Sequence, residues 1–431
     1  MNTYVVSNKQ RNLLLSGIVL GIACLVWVYM IDDAFHTRFW SNFLHNSVFF
    51  TGVSFMAVFF YSICITAWAG WSSMFKRVWE AFGMFLIVGI GLIFIVFLGV
   101  KFGWHNLYHW ADTESVVNDK ILSGKSGFLN TTWYFISAVV VPGIWFFFIW
   151  KMRSLSIKED TNGDPDFKIH HRLRVWAAAF LPLAGFTLTL VIWQWVMSID
   201  AHWYSTLFAW YCGASFFVTM IAMTILVLVY LKGQGYYENV STEHIHDLGK
   251  FLFGFSIFWA YLWFSQYMLI WYANIGEETV YFQERHLNYP VLFWSNLAMN
   301  FILPFFILMR NDTKRKFGSL SFVALLVIFG HWIDFFLMIK PGALHTAHEM
   351  GGGNHGNSHE SVGEHGHELG GHAVEHASNF VSGFTLPGLL EIGTFIGFLC
   401  LFLYVISTVL SKSRLVPTND PYISESLNHH V

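Results

Sequence analysis

Charge is what this sequence has least of. Only 12% of its 431 residues are Asp, Glu, Lys or Arg, against about a quarter in an ordinary soluble domain, and the solvent that accommodates such a chain is lipid. The net charge of −3 and the scattering of basic residues give no electrostatic reason to expect nucleic acid. Cysteine is scarce too. Cys24, Cys64, Cys212 and Cys400 each sit inside an apolar run, where buried small hydrophobes belong. No CxxC or CxxCH occurs, which argues against covalent haem c, a zinc ribbon or iron–sulfur ligation by this chain. A cleavable leader is not expected. The first apolar run, 13–31, is long enough to span and has no small-residue cleavage site with soluble sequence behind it.

Apolar residues are what the chain has instead, at 55%. A helix needs about 20 of them to cross a bilayer. Runs of that kind lie at roughly 12–31, 47–70, 81–100, 128–150, 175–199, 203–231, 251–275, 287–309, 317–339 and 383–410. The expectation is a single all-α integral membrane domain over 1–431, because lipid leaves no partner for an open backbone. Pro142, Pro182, Pro304 and Pro387 fall in or at the edge of these runs, and each is expected to kink or start a helix. Basic residues set the orientation. With the N-terminus inside, inside segments carry 18 Lys and Arg and outside loops carry 6, which places both termini in the cytoplasm. One longer outside loop, 101–127, holds Trp104, His105, Tyr108, His109 and Trp110. The other, 340–382, is rich in Gly and His. His345, His348, His355, His359, His365, His367, His372 and His376 lie in it and could bind Zn or Cu weakly. Glycine-rich sequence fixes no geometry, however, so a disordered polar loop is expected. The stretch SGKSG around Lys125 lacks the earlier glycine of a phosphate loop and is a chance match.

Eight of the ten runs contain no Asp, Glu, Lys, Arg or His. The ninth has His331 and Asp334, and the tenth has Glu391. A charge at such depth costs roughly 2.5–3.5 kcal/mol on insertion scales, so these side chains should face protein or a water-filled path. His331 and Asp334, three apart, share a helix face. At 1.5 Å per residue, Asp334 lies roughly 22 Å along its helix, and Gln266 and Glu391 reach about the same layer. One polar cluster in the outer half of the membrane is expected. It reads as a proton path, or as a set of interhelical hydrogen bonds. Facing pairs of intramembrane histidines, which a bis-His haem needs, are missing: His45 is expected near a helix edge.

Two stretches carry more than composition. WQWVMSIDAHWYSTLFAWY, 193–211, crosses a short turn, and FSQYMLIWYANIGEETVYFQER, 264–285, leaves the seventh run. Asp200, His202, Glu277 and Glu278 fall at the outer surface, where they could dock a partner, cap helix ends or open a proton exit. Arg285 closes the second motif. Both motifs resemble ActF, a membrane-subunit family of alternative complex III, the bacterial quinol:cytochrome c (or high-potential acceptor) oxidoreductase, within the wider NrfD/polysulfide-reductase membrane-subunit family. The resemblance covers essentially the whole chain. It implies two four-helix bundles, helices 2–5 and 6–9, with helices 1 and 10 peripheral, in the inner membrane. It also implies a homologous ActC-like membrane subunit, a multihaem cytochrome and an iron–sulfur protein as partners. Haem c and iron–sulfur clusters would sit on those partners and none on this chain, with menaquinol or ubiquinol as substrate of the complex. No cofactor ligand and no separate acid–base pair for quinol stands out here, so proton translocation and complex assembly are the expected tasks. The alternatives are a proton-coupled secondary transporter, which matched Gly/Pro-broken helices in two halves would mark and which the sequence does not display, or a purely structural scaffold.

Overall fold

A computed structural model of the chain describes residues 3–351, 381 and 383–429. Its regular structure is helical, and the one strand-like feature among the described residues is an isolated antiparallel bridge between Thr3 and Arg414. Among the described residues, ten helices are long and apolar enough to cross a membrane, as in a multi-pass membrane protein. They are α1 (Asn8–Ile31), α2 (Thr37–Thr66), α3 (Gly70–Phe102), α4 (Thr131–Asn162), α5 (Lys168–Ile199), α6 (Leu207–Gly233), α7 (Thr242–Ala273), α8 (Pro290–Leu308), α9 (Phe317–Ala347) and α10 (Leu389–Leu410). An amphipathic surface helix, Gly276–Asn288, lies between α7 and α8. We call the end carrying both termini the terminal face and the opposite end the far face.

Several helices outrun the apolar stretches that announce them. α2 starts at Thr37 and not at 47, which puts His45 in its third turn, wholly buried. α3 takes in Lys76, Arg77 and Glu80 behind a 3-10 turn. α9 continues through Lys340 and Pro341, so the loop expected at 340–382 begins as helix. Of its histidines, His345 is described. The side chain of His348 and all of His355, His359, His365, His367, His372 and His376 lie outside the described residues. The physical reason is common to all three cases. A helix whose polar side chains are buried against other helices has no cause to stop where its own apolar sequence stops.

Neighbouring helices pair in a definite pattern. α2 touches α3 and α5, and α4 touches α3 and α5; likewise α6 touches α7 and α9, and α8 touches α7 and α9. Contacts of α2 with α6 and α9, and of α5 with α6, join the two sets. α1 and α10 pair antiparallel and lie on α2 and α3. Enclosure differs accordingly: the apolar window of α2 is 83% buried and that of α1 only 17%, so α1 lies at the periphery of the helices. Gly21 and Gly397 let those two backbones touch, with no room for a Cβ on either.

Proline shapes α4 and α8 alike. A π turn, Ile136–Val140, precedes Pro142, and another, Ala298–Ile302, precedes Pro304. Proline has no N–H and crowds the carbonyl four residues back, and a widened turn relieves both. These are the third helices of two successive sets of four, and each runs on through its π turn without a break. Pro182 and Pro341 lie inside α5 and α9, and Pro387 precedes α10.

Filling the α1–α10 contact should destabilise the protein. Gly397→Leu is expected to cost about 1–3 kcal/mol through overpacking and to lower the melting temperature in detergent. Gly254→Leu, at an exposed position with nothing within 4 Å, should leave it unchanged.

Candidate functional site

Four helices converge on one carboxylate. Asp334, in the middle of α9, is 1% exposed. Its Oδ1 accepts from the Tyr211 hydroxyl of α6 and from Asn296 Nδ2 of α8, the latter at 2.8 Å. Its Oδ2 accepts from Ser215 Oγ of α6 at 2.8 Å and from Trp259 Nε1 of α7 at 3.0 Å. A carboxylate offers about four acceptor positions, and all are used. His331, one turn earlier on α9, is fully buried with Nδ1 4.0 Å from Asp334 Oδ2. Its ring meets Trp259 edge to face, and neither ring nitrogen has a hydrogen-bond partner among the described residues. The chain of polar groups goes one step deeper: Asn300, on the π turn of α8, donates to Asn296 Oδ1 at 2.6 Å.

Towards the far face the same carboxylate lines a cavity of about 20 Å³ shared with Tyr211, Gln266, Tyr281 and Arg285, roughly the room one water needs. Gln266 is buried, and its Nε2 has no protein partner among the described residues. Beyond lies Arg285, from the surface helix. Pro341 cannot donate to the carbonyl of Leu337, and Arg285 Nε does so at 2.9 Å. Arg285 Nη2 donates to Asp200 Oδ2 at 2.8 Å, and the guanidinium stacks 3.4 Å from the Tyr281 ring centroid. Burial would lower this guanidinium, but Tyr281, Asp200 and Glu284 around it raise it above its ordinary value. A second cavity of about 90 Å³ follows at the far face, lined by Asp200, His202, Glu277, Glu284, His109 and His345 among others. There His202 Nε2 lies 2.5 Å from Asp119 Oδ2, and Lys125 Nζ donates to Ala201 O at 2.6 Å.

The structure thus joins His331, Asp334 and Gln266, and leads from them through Arg285 and Asp200 to His202 and Glu277. Glu278 lines neither cavity. Glu391 does not belong to this group. Arg38, which precedes the apolar run at 47–70, sits on the first turn of α2 and reaches Glu391 with Nε at 2.7 Å and Nη2 at 3.0 Å. Asn42 Nδ2 adds a bond at 3.0 Å, and Glu391 itself caps α10 through the Gly388 amide at 2.9 Å. Fully buried Lys340 lies beside them, its Nζ donating to Ser41 Oγ at 2.8 Å. Glu391 is therefore the hub of a separate junction of α2, α9 and α10.

A third cluster sits near the terminal face, built, apart from Tyr61, from residues that lie between the apolar runs of the sequence. Glu80, fully buried, accepts from Arg77 Nη1 at 2.8 Å, Arg153 Nη1 at 3.4 Å and the Tyr61 hydroxyl at 3.1 Å. Lys76 pairs with Glu159 at 3.4 Å and with Asp420 of the C-terminal segment, and His170 Nδ1 lies 2.9 Å from Glu159. The signal that could have found it is Arg77 and Glu80 at i,i+3, an ion pair on one helix face. Three buried hydroxyls of α6 lie at levels between this cluster and Asp334: Ser215, which donates to Asp334, Thr219 one turn on, and Thr224, which faces the opposite side of the helix from Ser215 and accepts from Trp79 Nε1 at 3.1 Å. No group of three His, Cys, Asp or Glu placed to hold a metal occurs among the described residues.

Asp334→Leu would leave four buried donors without an acceptor, each worth about 1–3 kcal/mol. The variant should unfold well below the parent in a thermal melt, and further than Glu278→Gln, which should not shift it. The far-face contact has a pH limit. Burial raises the Asp119 carboxyl, but His202 and the amides of Leu122 and Ile121 outweigh it and hold it below the ordinary carboxylate value. A depressed carboxyl contributes stability above its unfolded value, near pH 4, and loses it as pH falls through the folded value. Protease cleavage within 103–130 should accelerate below about pH 4 in the parent, while Asp119→Asn should be cleaved fast at every pH. No protein-family model matches this chain, and no curated protein matches it.

Proposed function

We propose that this chain is a cofactor-free membrane subunit of a respiratory quinol:cytochrome c (or high-potential acceptor) oxidoreductase of the alternative complex III type, and that it moves protons. In this reading the terminal face is cytoplasmic and the membrane is the bacterial inner membrane. Helices α2–α5 and α6–α9 act as two four-helix bundles, a division supported by the pairing of neighbouring helices. Electron carriers reside on partner subunits: a multihaem cytochrome, an iron–sulfur protein and an ActC-like membrane subunit.

The observation that carries the proton reading is Asp334 with its chain of polar groups to the far face. A residue needed only to hold helices could be neutral, whereas a fully buried carboxylate opening through a water-sized cavity to Arg285 and Asp200 suits proton release. The Glu80 cluster lies near the opposite face and suits proton uptake. The buried hydroxyls of Ser215, Thr219 and Thr224 are spread over about 14 Å of α6, and water would have to complete the path, because Ser215 and Thr224 face opposite sides of that helix. The matched π turns of α4 and α8 favour a transporter as the second reading. Against it stands the size of the cavity at Asp334, which has room for water and for no larger solute.

The test uses the whole complex from its native membrane. Gentle purification should bring the cytochrome and the iron–sulfur protein along in fixed stoichiometry. With Asp334→Asn or Glu80→Gln the assembled complex should still oxidise quinol, while protons released per electron fall. Unchanged proton release in both variants would leave a scaffold. A chain that purifies alone and binds a solute would be a transporter.

A further inference from the structure

The chain does not leave the membrane freely after α10. The segment 411–429 turns back and crosses the terminal face of both helix sets. Tyr237 donates to Leu415 O at 3.3 Å near its start. The amide of Thr418 donates to Asp160 Oδ1 at 2.7 Å, and Asn419 Nδ2 donates to Asp160 O at 2.7 Å. Asp420 then pairs with Lys76, and the Tyr422 ring settles 5.3 Å from His170 and 5.9 Å from Trp68. Ser426 Oγ donates to Trp71 O at 2.7 Å, and His429 Nε2 ends 2.6 Å from Asp247 Oδ2 on α7.

What lies beneath gives this segment a role. A cavity of about 10 Å³, at the threshold for one water, is lined by Cys64, Ser73, Lys76, His170 and Tyr422, with Trp68 at its rim. Lys76 is its charged wall, paired with Glu159, and on the neighbouring turn Arg77 holds Glu80. Only Leu415, Pro417, Asp420 and Ser426 of the 19 residues of the segment are buried. The segment is held by hydrogen bonds and one buried ion pair, with little apolar burial, and elements held that way open at lower cost than the helices beneath them. Burial would raise the Asp420 carboxyl, but the Lys76 ammonium holds it below its ordinary range, so the contact is charged at neutral pH.

We propose that 411–429 is a gate on the terminal face: Asp420 and Tyr422 close the cavity beside Lys76, and water reaches the Glu80 cluster when they lift. The consequence for proton uptake rests on the function proposed above; the gate itself concerns water access alone. Removing Asp420 leaves Lys76 with Glu159, so Asp420→Asn need not disturb the helices.

Cys64 is a native reporter. In the full-length protein in detergent, the rate of alkylation by iodoacetamide is followed at Cys64 and at Cys212, which lies fully buried in α6. Asp420→Asn and Tyr422→Ala, which remove different contacts of the segment, should each label Cys64 severalfold faster with Cys212 unchanged. An unchanged Cys64 rate in both variants overturns the gate, and so does an equal rise at Cys212, which reports general loosening. The same variants in proteoliposomes under a pH gradient should admit protons faster, and Glu80→Gln should cancel the increase. Faster Cys64 labelling without faster proton entry keeps the gate and overturns the proton path.

Discussion

Everything in the second set of helices follows from the need to satisfy one carboxylate away from water. An ionised or neutral carboxyl left bare in a low-dielectric interior costs several kcal/mol, and Asp334 has no solvent to turn to. Its four acceptor positions are filled by donors from α6, α7 and α8. The position of each of those helices is thereby fixed relative to α9 by a hydrogen bond, which dispersion between lipid-like side chains cannot do with the same directionality. The aromatic side chains around it, Trp259 against His331 and Tyr211 against Trp259, fill much of the space that the donors leave.

Proline supplies the second constraint. A missing N–H at Pro341 frees a carbonyl on α9 three residues beyond Asp334, and that carbonyl recruits Arg285 from outside the spans. Once a guanidinium is drawn in, it needs a counter-charge, and Asp200 on the turn after α5 provides it at 2.8 Å. One backbone defect thus brings together the two sequence motifs, 193–211 and 264–285, that otherwise share no element. The π turns before Pro142 and Pro304 act similarly: the one in α8 carries Asn300 towards Asn296 and so lengthens the chain of polar groups inward.

Much of the fold was legible because lipid enforces it. Ten apolar runs could only be ten helices, and the shared face of His331 and Asp334 followed from helical spacing. The donors to Asp334 were not legible, since Tyr211, Ser215, Trp259 and Asn296 are ordinary residues in apolar runs and acquire meaning only from tertiary contact. Nor was the separation of Glu391 from Asp334. Depth along a helix axis is readable from residue counts, but the direction a side chain faces around the bundle is not, and Arg38 decided it. The Glu80 cluster was missed for a third reason: Lys76, Arg77 and Arg153 lie beside apolar runs, where basic residues usually mark the cytoplasmic edge, and here they fold inward against Glu80 and Glu159.

Asp334, midway along α9, and Glu80, near the terminal face, sit in different helix sets, and the material between them matters as much as either. A continuous row of ionisable groups would let protons run down their gradient unchecked. Between Asp334 and Glu80 stand instead Ser215, Thr219 and Thr224, of which Ser215 and Thr219 also bond within α6 itself or to Asp334, and Thr224 returns its proton to Met220 O while accepting from Trp79. Hydroxyls occupied in this way are poor relays at rest. α6 itself bonds Asp334 through Tyr211 and Ser215, and meets Trp79, the neighbour of Glu80 in sequence, through Thr224. Under the function proposed above, a shift of α6 is therefore the step that would couple proton uptake on one face to release on the other.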